Sequence, residues 1–453
     1  MSNKSDRITF QTRYNDMLDT LRHEILTSIR PAGEYIPSEL ALSEQYQISR
    51  KSVRKALDIL VADGLLTKVP RVGNMVNAVE EFQTITIRLG YYPSLENEAA
   101  LLDLIDLFRR HYPHIKVEML SLPYRNYVET VRDFIHNGWV DAVSINNKDF
   151  LHAAESGELE LFEPQFSQLE HYSFLTSLFT EKEQLNVKPF IFSPIILCYN
   201  KGMFARSGIA EPDSSWTWID LSNAARMTKK KLDTLGFYLD IASLNRFPIY
   251  LLQNGFTFED DPKDSYNGEL LWEHLLAFRD LFYNQGESPA FLSEADLDTE
   301  KMFLNEKTAM IITSYYALHA LKEAAFAYGI APIPHESEPS TFVLATGLAV
   351  SRHSKQKDAA KLLVDFLASE KSQLLISNQT LSIPAHQQAA ERAGEEHAHR
   401  PAGFNGYLDI LPVLRNYKDL NISIHELEHL HSELKLFWSK MEEPDAVKNR
   451  LVR

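Results

Sequence analysis

The chain has 453 residues, 44% of apolar type and 24% charged, usage that excludes wholesale disorder and collagen-like repetition and supports about three folding units. Its 46 Lys and Arg face 62 Asp and Glu, a formal charge of −16, so a uniformly basic coat for nucleic acid is excluded and only a local basic patch can dock a polyanion. The single cysteine, Cys198, excludes an intrachain disulfide and a cysteine-based zinc site, and it fits a reducing compartment.

From the N-terminus, Met1 to Arg7 contain no apolar signal core, and no window approaches about 18 consecutive apolar residues. A cytoplasmic protein with no membrane partner is expected. Tyr14, Met17, Leu18, Leu21, Ile25 and Ile29 recur at three- and four-residue spacing, which predicts a helix over about 13–30. Pro31-Ala32-Gly33 ends it, and Ser38 is placed to cap a short helix carrying Leu40, Ala41 and Leu42. Ser49 caps the next helix, whose buried stripe is Val53, Ala56, Leu57, Leu60 and Val61, with Arg50, Lys51, Arg54 and Lys55 mostly off that stripe. Gly64 fits the left-handed position that follows a helix end. Leu65–Val69 and Val72–Val76 are rich in strand formers and meet at Pro70-Arg71 and Gly73, a two-stranded ribbon. Three helices and a β-wing make a winged helix-turn-helix. Residues 1–80 carry four Lys and seven Arg against five Asp and five Glu. Within residues 48–73, Arg50, Lys51, Arg54, Lys55, Lys68 and Arg71 stand against only Asp58 and Asp63.

The run Pro37-Ser38-Glu39, then Ser49-Arg50-Lys51-Ser52-Val53-Arg54-Lys55-Ala56-Leu57, then Asp63-Gly64-Leu65-Leu66, resembles the DNA-binding head of GntR-family transcription regulators over residues 10–78. That resemblance implies that the second helix of the motif enters the major groove, with Arg50 and Arg54 as recognition-helix arginines and Gly73 as a wing glycine. The DNA-binding residues so implied are Ser38, Glu39, Ser49, Arg50, Lys51, Ser52, Arg54, Lys55, Lys68, Arg71 and Gly73. Two departures stand out: Leu40 where the family often has arginine, and Arg71 where it often has a wing-tip glycine. Leucine makes only apolar contact where arginine offers guanine a two-pronged donor.

Past a short linker at 79–83, Ile85, Ile87 and Leu89 alternate as a strand ending at Gly90-Tyr91-Tyr92-Pro93. A helix over about 97–111 carries Leu101, Leu104, Ile105 and Phe108 on one face, Ile115, Val117 and Met119 alternate again, and a helix over 127–137 leads to the apolar strand Val140 to Ile145. This is repeated β-α-β, whose parallel sheets bind ligands beyond the carboxyl ends of their strands. The body also resembles the extracellular solute-binding proteins of sugar-type transporters along nearly its whole length. The pieces occur in family order: Tyr199-Asn200-Lys201-Gly202-Met203-Phe204 with Gly208-Ile209, Trp216-Thr217-Trp218, Phe303 to Met310, Pro332-Ile333-Pro334, and Gly347-Leu348-Ala349-Val350 before a helix over 357–369. The resemblance implies a two-lobed, α/β, type II periplasmic-binding-protein-like domain over 84–453, with lobe I at about 84–193 and 346–381 and lobe II at about 196–344 and 385–453. It places Tyr92, Asn146, Asn147, Ser193, Tyr315, Tyr316 and Gly347 at the cleft. Tyrosine faces and amide side chains suit the C–H faces and hydroxyls of a sugar.

His425-Glu426-Leu427-Glu428-His429 matches the H-E-x-x-H pattern of zinc peptidases, which needs a third ligand and a substrate cleft. His397 and His399 sit in a polar surface stretch. A GntR head fused to an aminotransferase-like body is the other alternative, but no Schiff-base lysine and pyridoxal-phosphate frame are evident. The expectation is a non-enzymatic, cofactor-free, ligand-responsive repressor, dimeric on operator DNA, with a saccharide as small-molecule effector.

Overall fold

Apolar spacing builds the head. In this computed structural model the described positions between 13 and 26 are helical, with Met17, Leu21 and Ile25 buried one turn apart. Helix α1 (Glu39–Tyr46) begins at Ser38, whose Oγ accepts the Ala41 N–H at 3.2 Å. Helix α2 (Arg50–Ala62) begins behind Ser49, whose Oγ accepts the Ser52 N–H at 3.2 Å. Each serine satisfies one of the orphan donors of a helix start. Leu42, Ile48, Val53, Ala56, Leu57 and Leu60 close over the first helix as a core separate from that of the body. Strands β1 (Leu66–Val69) and β2 (Gly73–Val76) pair antiparallel, Val69 opposite Gly73. Arg71, in the turn between them, has φ 65°, a left-handed conformation that disfavours side chains with a Cβ.

The described residues are 13–451 other than 15–16, 19, 23, 27–28, 63, 78–83, 167–169, 241–242, 259–267, 284–297, 393–399 and 440. The expected linker at 79–83, the residue Asp63 and the pair His397 and His399 lie outside them.

The body opens with β3 (Ile85–Tyr91), α3 (Leu101–His111), β4 (Ile115–Ser121), α4 (Tyr127–His136), β5 (Ala142–Asn146) and α5 (Asn147–Glu155). β3 runs parallel to both β4 and β5. The single helix expected over 97–111 is split: Leu95–Glu98 makes one turn, and Ala100 at φ 49° interrupts the chain before α3.

Strand β6 (Lys188–Asn200) is buried along all 13 residues, and its interior is apolar except for Ser193. Helices α6 (Trp218–Leu232), α7 (Phe247–Gln253) and α8 (Gly268–Tyr283) follow, then β7 (Met310–Ser314), β8 (Tyr328–Ala331), β9 (Thr341–Val350), α9 (Lys357–Leu367) and α10 (Ile424–Trp438). The strand order is β8-β6-β9-β5-β3-β4, with β7 also on β6. The first half of β6 pairs with β9 through Pro194, and its second half pairs with β7 from Ile195 and with β8 from Leu197. β9 in turn pairs with β5 from Thr346 to Val350. Two long strands therefore cross from one sheet to the other, and the body is a two-lobed α/β clamshell.

Around the parallel strands, Phe108 of α3 meets Phe366 of α9 edge-on at 5.3 Å. In the other lobe Trp218 of α6 meets Phe278 of α8 at 5.6 Å, and Trp272 of α8 meets Phe437 of α10 at 4.9 Å. Gly347 sits where β9 shifts register against β6. A Cβ there would lie 2.5 Å from Val187 Cγ1 and 2.7 Å from the Lys188 carbonyl oxygen. Only glycine permits this approach of the crossing strands.

Candidate functional site

The head's exposed surface is set by α2. With Val53, Ala56, Leu57 and Leu60 turned into the core, Arg50, Lys51, Arg54 and Lys55 are left exposed. Arg54 is held by Glu39 of α1 through Nε to Oε1 at 3.0 Å and Nη2 to Oε2 at 2.7 Å. This two-pronged bond fixes the direction of the guanidinium. It also lowers the Glu39 carboxyl below its ordinary value, against a smaller effect of burial. Lys68 of the wing pairs with Asp58 of α2. Ser49 and Ser52 share a hydroxyl contact of 2.8 Å, and with Ser38 they are spent on helix starts. Among the described residues no side-chain hydrogen bond or ion pair engages Arg50, Lys51, Lys55 or Arg71. Those four cations, with Arg54 aimed beside them, form a surface that can neutralise phosphates and reach base edges.

Between the two lobes lies a cavity of about 1170 Å³. Its first wall grows from the carboxyl ends of β3 and β5. Tyr92, the residue after β3, is buried and stacks on Tyr127 at 4.0 Å and on Tyr124 at 5.4 Å. Its hydroxyl donates to Asp149 Oδ2 at 2.5 Å and accepts from Asn146 Nδ2 at 3.1 Å. Asn146 also donates to Asp149 Oδ2 at 2.9 Å, while its Oδ1 accepts the Asp149 N–H at 2.8 Å and starts α5. Burial, with Asp149 alongside, pushes the Tyr92 phenol well above its ordinary value. It remains a hydroxyl donor, and Tyr92, Asn146 and Asp149 are bonded to one another across this wall.

Asn147 lines the cavity too, but its amide is engaged by the crossing strand: Nδ2 donates to Val343 O at 3.2 Å and Oδ1 accepts from Ala345 N at 3.1 Å. Tyr316, beyond β7, donates its hydroxyl to Ile191 O at 2.9 Å, which locks the ring of one lobe onto the crossover. Three other expected cleft residues do not line the cavity. Ser193 stands behind Tyr316 and accepts its N–H at 3.4 Å. Tyr315 turns the opposite way along the chain and donates to Phe404 O at 2.7 Å in the core of its lobe. Gly347 acts through the close strand crossing described above.

The structure adds residues that sequence reasoning missed. Arg246, at the start of α7, is half-buried in the cavity wall, and among the described residues its guanidinium hydrogen-bonds only to Asn245. Burial pulls its guanidinium below the ordinary value, although Glu300 and Asp240 nearby oppose this. Tyr417 is buried against Phe342 at 4.9 Å and lines the same cavity. Burial pushes its phenol up to about 12, with Lys148 and Arg246 opposing and Asp149 and Glu428 adding. Lys148, the second residue of α5, is bonded to Glu428 at 2.6 Å and faces Asp149 at 3.3 Å. Burial alone would depress its ammonium, but the two carboxylates hold it above its ordinary value. Aromatic faces, amides, a guanidinium and scattered carboxylates thus converge on one space, which suits a ligand rich in hydroxyl groups.

The histidines of His425-Glu426-Leu427-Glu428-His429 are exposed on α10, and its two glutamates have other partners. Glu426 bonds back to Ser423 Oγ at 2.7 Å at the helix start, and Glu428 bonds to Lys148. Among the described residues no group of three or more His, Cys, Asp and Glu side chains is arranged to hold a metal ion.

A winged helix-turn-helix with an exposed basic helix, joined to a hinged two-lobed body with a polar and aromatic cavity, defines a ligand-responsive transcription regulator. The chain belongs to the bacterial extracellular solute-binding protein family, whose model matches residues 103–402, about two thirds of its length. Its head is of the gntR family of bacterial regulatory proteins, matched over residues 13–76. It is 25% identical over 173 residues to a probable fructoselysine utilization operon transcriptional repressor of Escherichia coli, 36% of this chain and 71% of that one. A galactooligosaccharide-binding protein of Bacillus subtilis is 23% identical over 313 residues, 64% of this chain and 70% of that one. An ABC substrate-binding protein of Listeria monocytogenes, solved in complex with cycloalternan, superposes with a TM-score of 0.69 at 20% identity, covering 81% of this chain and 97% of that one. These findings leave the aminotransferase-like and zinc-peptidase alternatives unfavoured.

Proposed function

We propose that the protein is a cytoplasmic, dimeric repressor that holds operator DNA until a saccharide or oligosaccharide occupies the interlobe cavity. The reading divides the chain into a DNA-binding head at 1–78, a linker at 79–83 and an effector domain at 84–453, with the lobes meeting at about 193–196 and 344–346. The observation that carries it is the pairing, in one chain, of an exposed basic helix face with an interlobe cavity lined by aromatic rings and by polar groups such as Tyr92 and Asn146 that are already bonded in place. The relatives whose names mention sugars support the solute class, and the repressor relative supports the direction of control. No chemistry on a substrate is assigned to the cavity.

Paired heads reading a pseudo-palindrome need half-sites one helical turn apart, about 34 Å. Phosphate contacts from Lys51 and Lys55 supply salt-dependent affinity, while Arg50 and Arg54 select sequence. The acidic body does not grip DNA. It shifts the heads when its lobes close, and moving the balance from 1:99 to 99:1 takes about 5.5 kcal/mol of preference for one state.

Calorimetric titration against maltodextrins, galactooligosaccharides and fructoselysine, with operator selected from genomic fragments, tests both halves. Binding of at least one sugar that also releases the operator is expected. Operator binding that ignores every sugar bound would overturn the reading. For the cavity, Arg246→Ala is expected to weaken the sugar about 10- to 100-fold, as for a charge-assisted hydrogen bond of about 1.5–3 kcal/mol, with the thermal midpoint of the chain unchanged.

A further inference from the structure

The pattern read above as a zinc-peptidase motif has a different task, and it lies at the contact between lobes. Helix α5 belongs to the lobe of β3, β4 and β5, whereas α10 packs through Phe437 and Trp438 on α7 and α8 of the other lobe. The two helices are tied at two places. Glu155, ending α5, takes the Ile424 N–H of the α10 start on both carboxylate oxygens at 2.9 Å, a favourable place for an anion on helix-terminal donors. Two turns earlier on α5, Lys148 Nζ reaches Glu428 Oε1 at 2.6 Å.

Lys148 is the shared group. It lines the cavity, and its ammonium has three donors. Asp149, beside it, is fixed within its own lobe because Tyr92 and Asn146 bond its other oxygen. Glu428 comes from the opposite lobe, its side chain is 40% exposed, and Lys148 is its one partner among the described residues. His431 and Lys435 also line the cavity. They follow Glu428 by three and seven residues, so they share its face of α10.

We propose that Lys148 and Glu428 form an interlobe clasp in which Glu428 competes with the solute for the Lys148 ammonium, making Glu428 a positioning residue that sets solute affinity without touching solute. A ligand shifts a conformational balance only by its differential affinity for the two states. Here part of that difference is the exchange of a carboxylate for a solute oxygen on one nitrogen. This rests on the cavity being the solute site.

The test uses the full chain, with maltotriose and a galactotriose as probes. Glu428→Gln is expected to tighten the bound probe about 3- to 10-fold, the range of a partly exposed ion pair. In a Lys148→Met background the same change is expected to have no further effect. Glu426→Gln, which damages only the α10 start, should lower the thermal midpoint and leave the probe's Kd within about twofold. An unchanged or weakened Kd in Glu428→Gln, or an equal effect with Lys148 removed, overturns the competition.

Should neither probe bind the unaltered chain, the sugar reading fails and the clasp is judged without solute. Spin labels at Leu102→Cys and Ile219→Cys, exposed on α3 and α6, report the interlobe distance while Cys198 stays buried. A broader distance distribution in Glu428→Gln supports the clasp, and an identical one overturns it.

Discussion

The head and the body hold their charge in opposite ways. On α2 the side chains of Arg50, Lys51 and Lys55 stand exposed and uncommitted among the described residues, and Arg54 is held through one edge of its guanidinium by Glu39. In the cavity the polar groups of the first wall and the crossover already have partners: Tyr92 and Asn146 close on Asp149, Asn147 on β9, Tyr316 on β6, and Lys148 on Glu428. A polyanion supplies its own dense charge and needs only cations within reach. A small solute must be desolvated against groups already in place, so its wall is built beforehand. The difference teaches that the head can be altered one residue at a time, whereas a change in the body spreads through its network.

Acid should separate the two most. His171 and His386 are buried and face each other in the body. Burial, with His386 and Lys188 adding to it, lowers His171 to about 4. The unfolded imidazole titrates near 6.5, so between those values the unfolded chain binds the extra proton. His171 therefore leaves stability intact above about pH 6.5 and withdraws up to about 3 kcal/mol as the pH falls to about 4. Urea unfolding followed by probes in each part should show the body's midpoint dropping across that window while the head, whose sole histidine is His23, drops less. His171→Gln should flatten the body's loss; an equal loss in both parts breaks the contrast.

Gly347→Val comes next. Its Cβ would meet backbone at the strand crossing, and overpacking of that kind costs about 2–3 kcal/mol. The body's unfolding midpoint should fall with the head's operator affinity retained. An Arg50→Ala change reverses the pattern: operator affinity falls by about 1–3 kcal/mol with discrimination lost, and sugar binding is unaltered. Filter binding on cognate and scrambled duplexes checks this.

What could be read from the sequence follows the same division. The head's caps, stripe and wing are local, each within a few residues of the next, so Ser38, Ser49, Arg50 and Gly64 lie where spacing places them. The first cavity wall was legible for the same reason, since Tyr92 follows a strand with clear alternation and Asn146 follows a short apolar run bounded by polar residues. The second wall was not. Arg246 and Tyr417 come from segments 171 residues apart and meet through tertiary packing, with no periodic signal at either. Tyr315 and Tyr316 show the limit most clearly. Adjacent residues leaving a strand point to opposite sides, and a Tyr-Tyr pair carries nothing to say which one enters the cavity. The structure sends Tyr316 to the cavity and Tyr315 to the core.

The smallest expected effect sharpens the contrast within the head alone. Arg71 occupies a left-handed turn conformation, φ 65°, at the wing tip, where an L side chain costs roughly 1–2 kcal/mol relative to glycine. Glycine recovers part of that and loses some through the greater freedom of its unfolded chain. Arg71→Gly should therefore leave the head as stable or raise it by less than about 1 kcal/mol. The same change removes one exposed cation, so operator affinity should weaken about equally across sequences and the slope of log Kd on log salt should fall by about 1. A stability gain with an unchanged salt slope would show that the wing tip stays clear of phosphate, leaving α2 to hold the duplex. A loss on both counts would mean that Arg71 packs within the head, and the strained turn would then be maintained by structure and not by DNA.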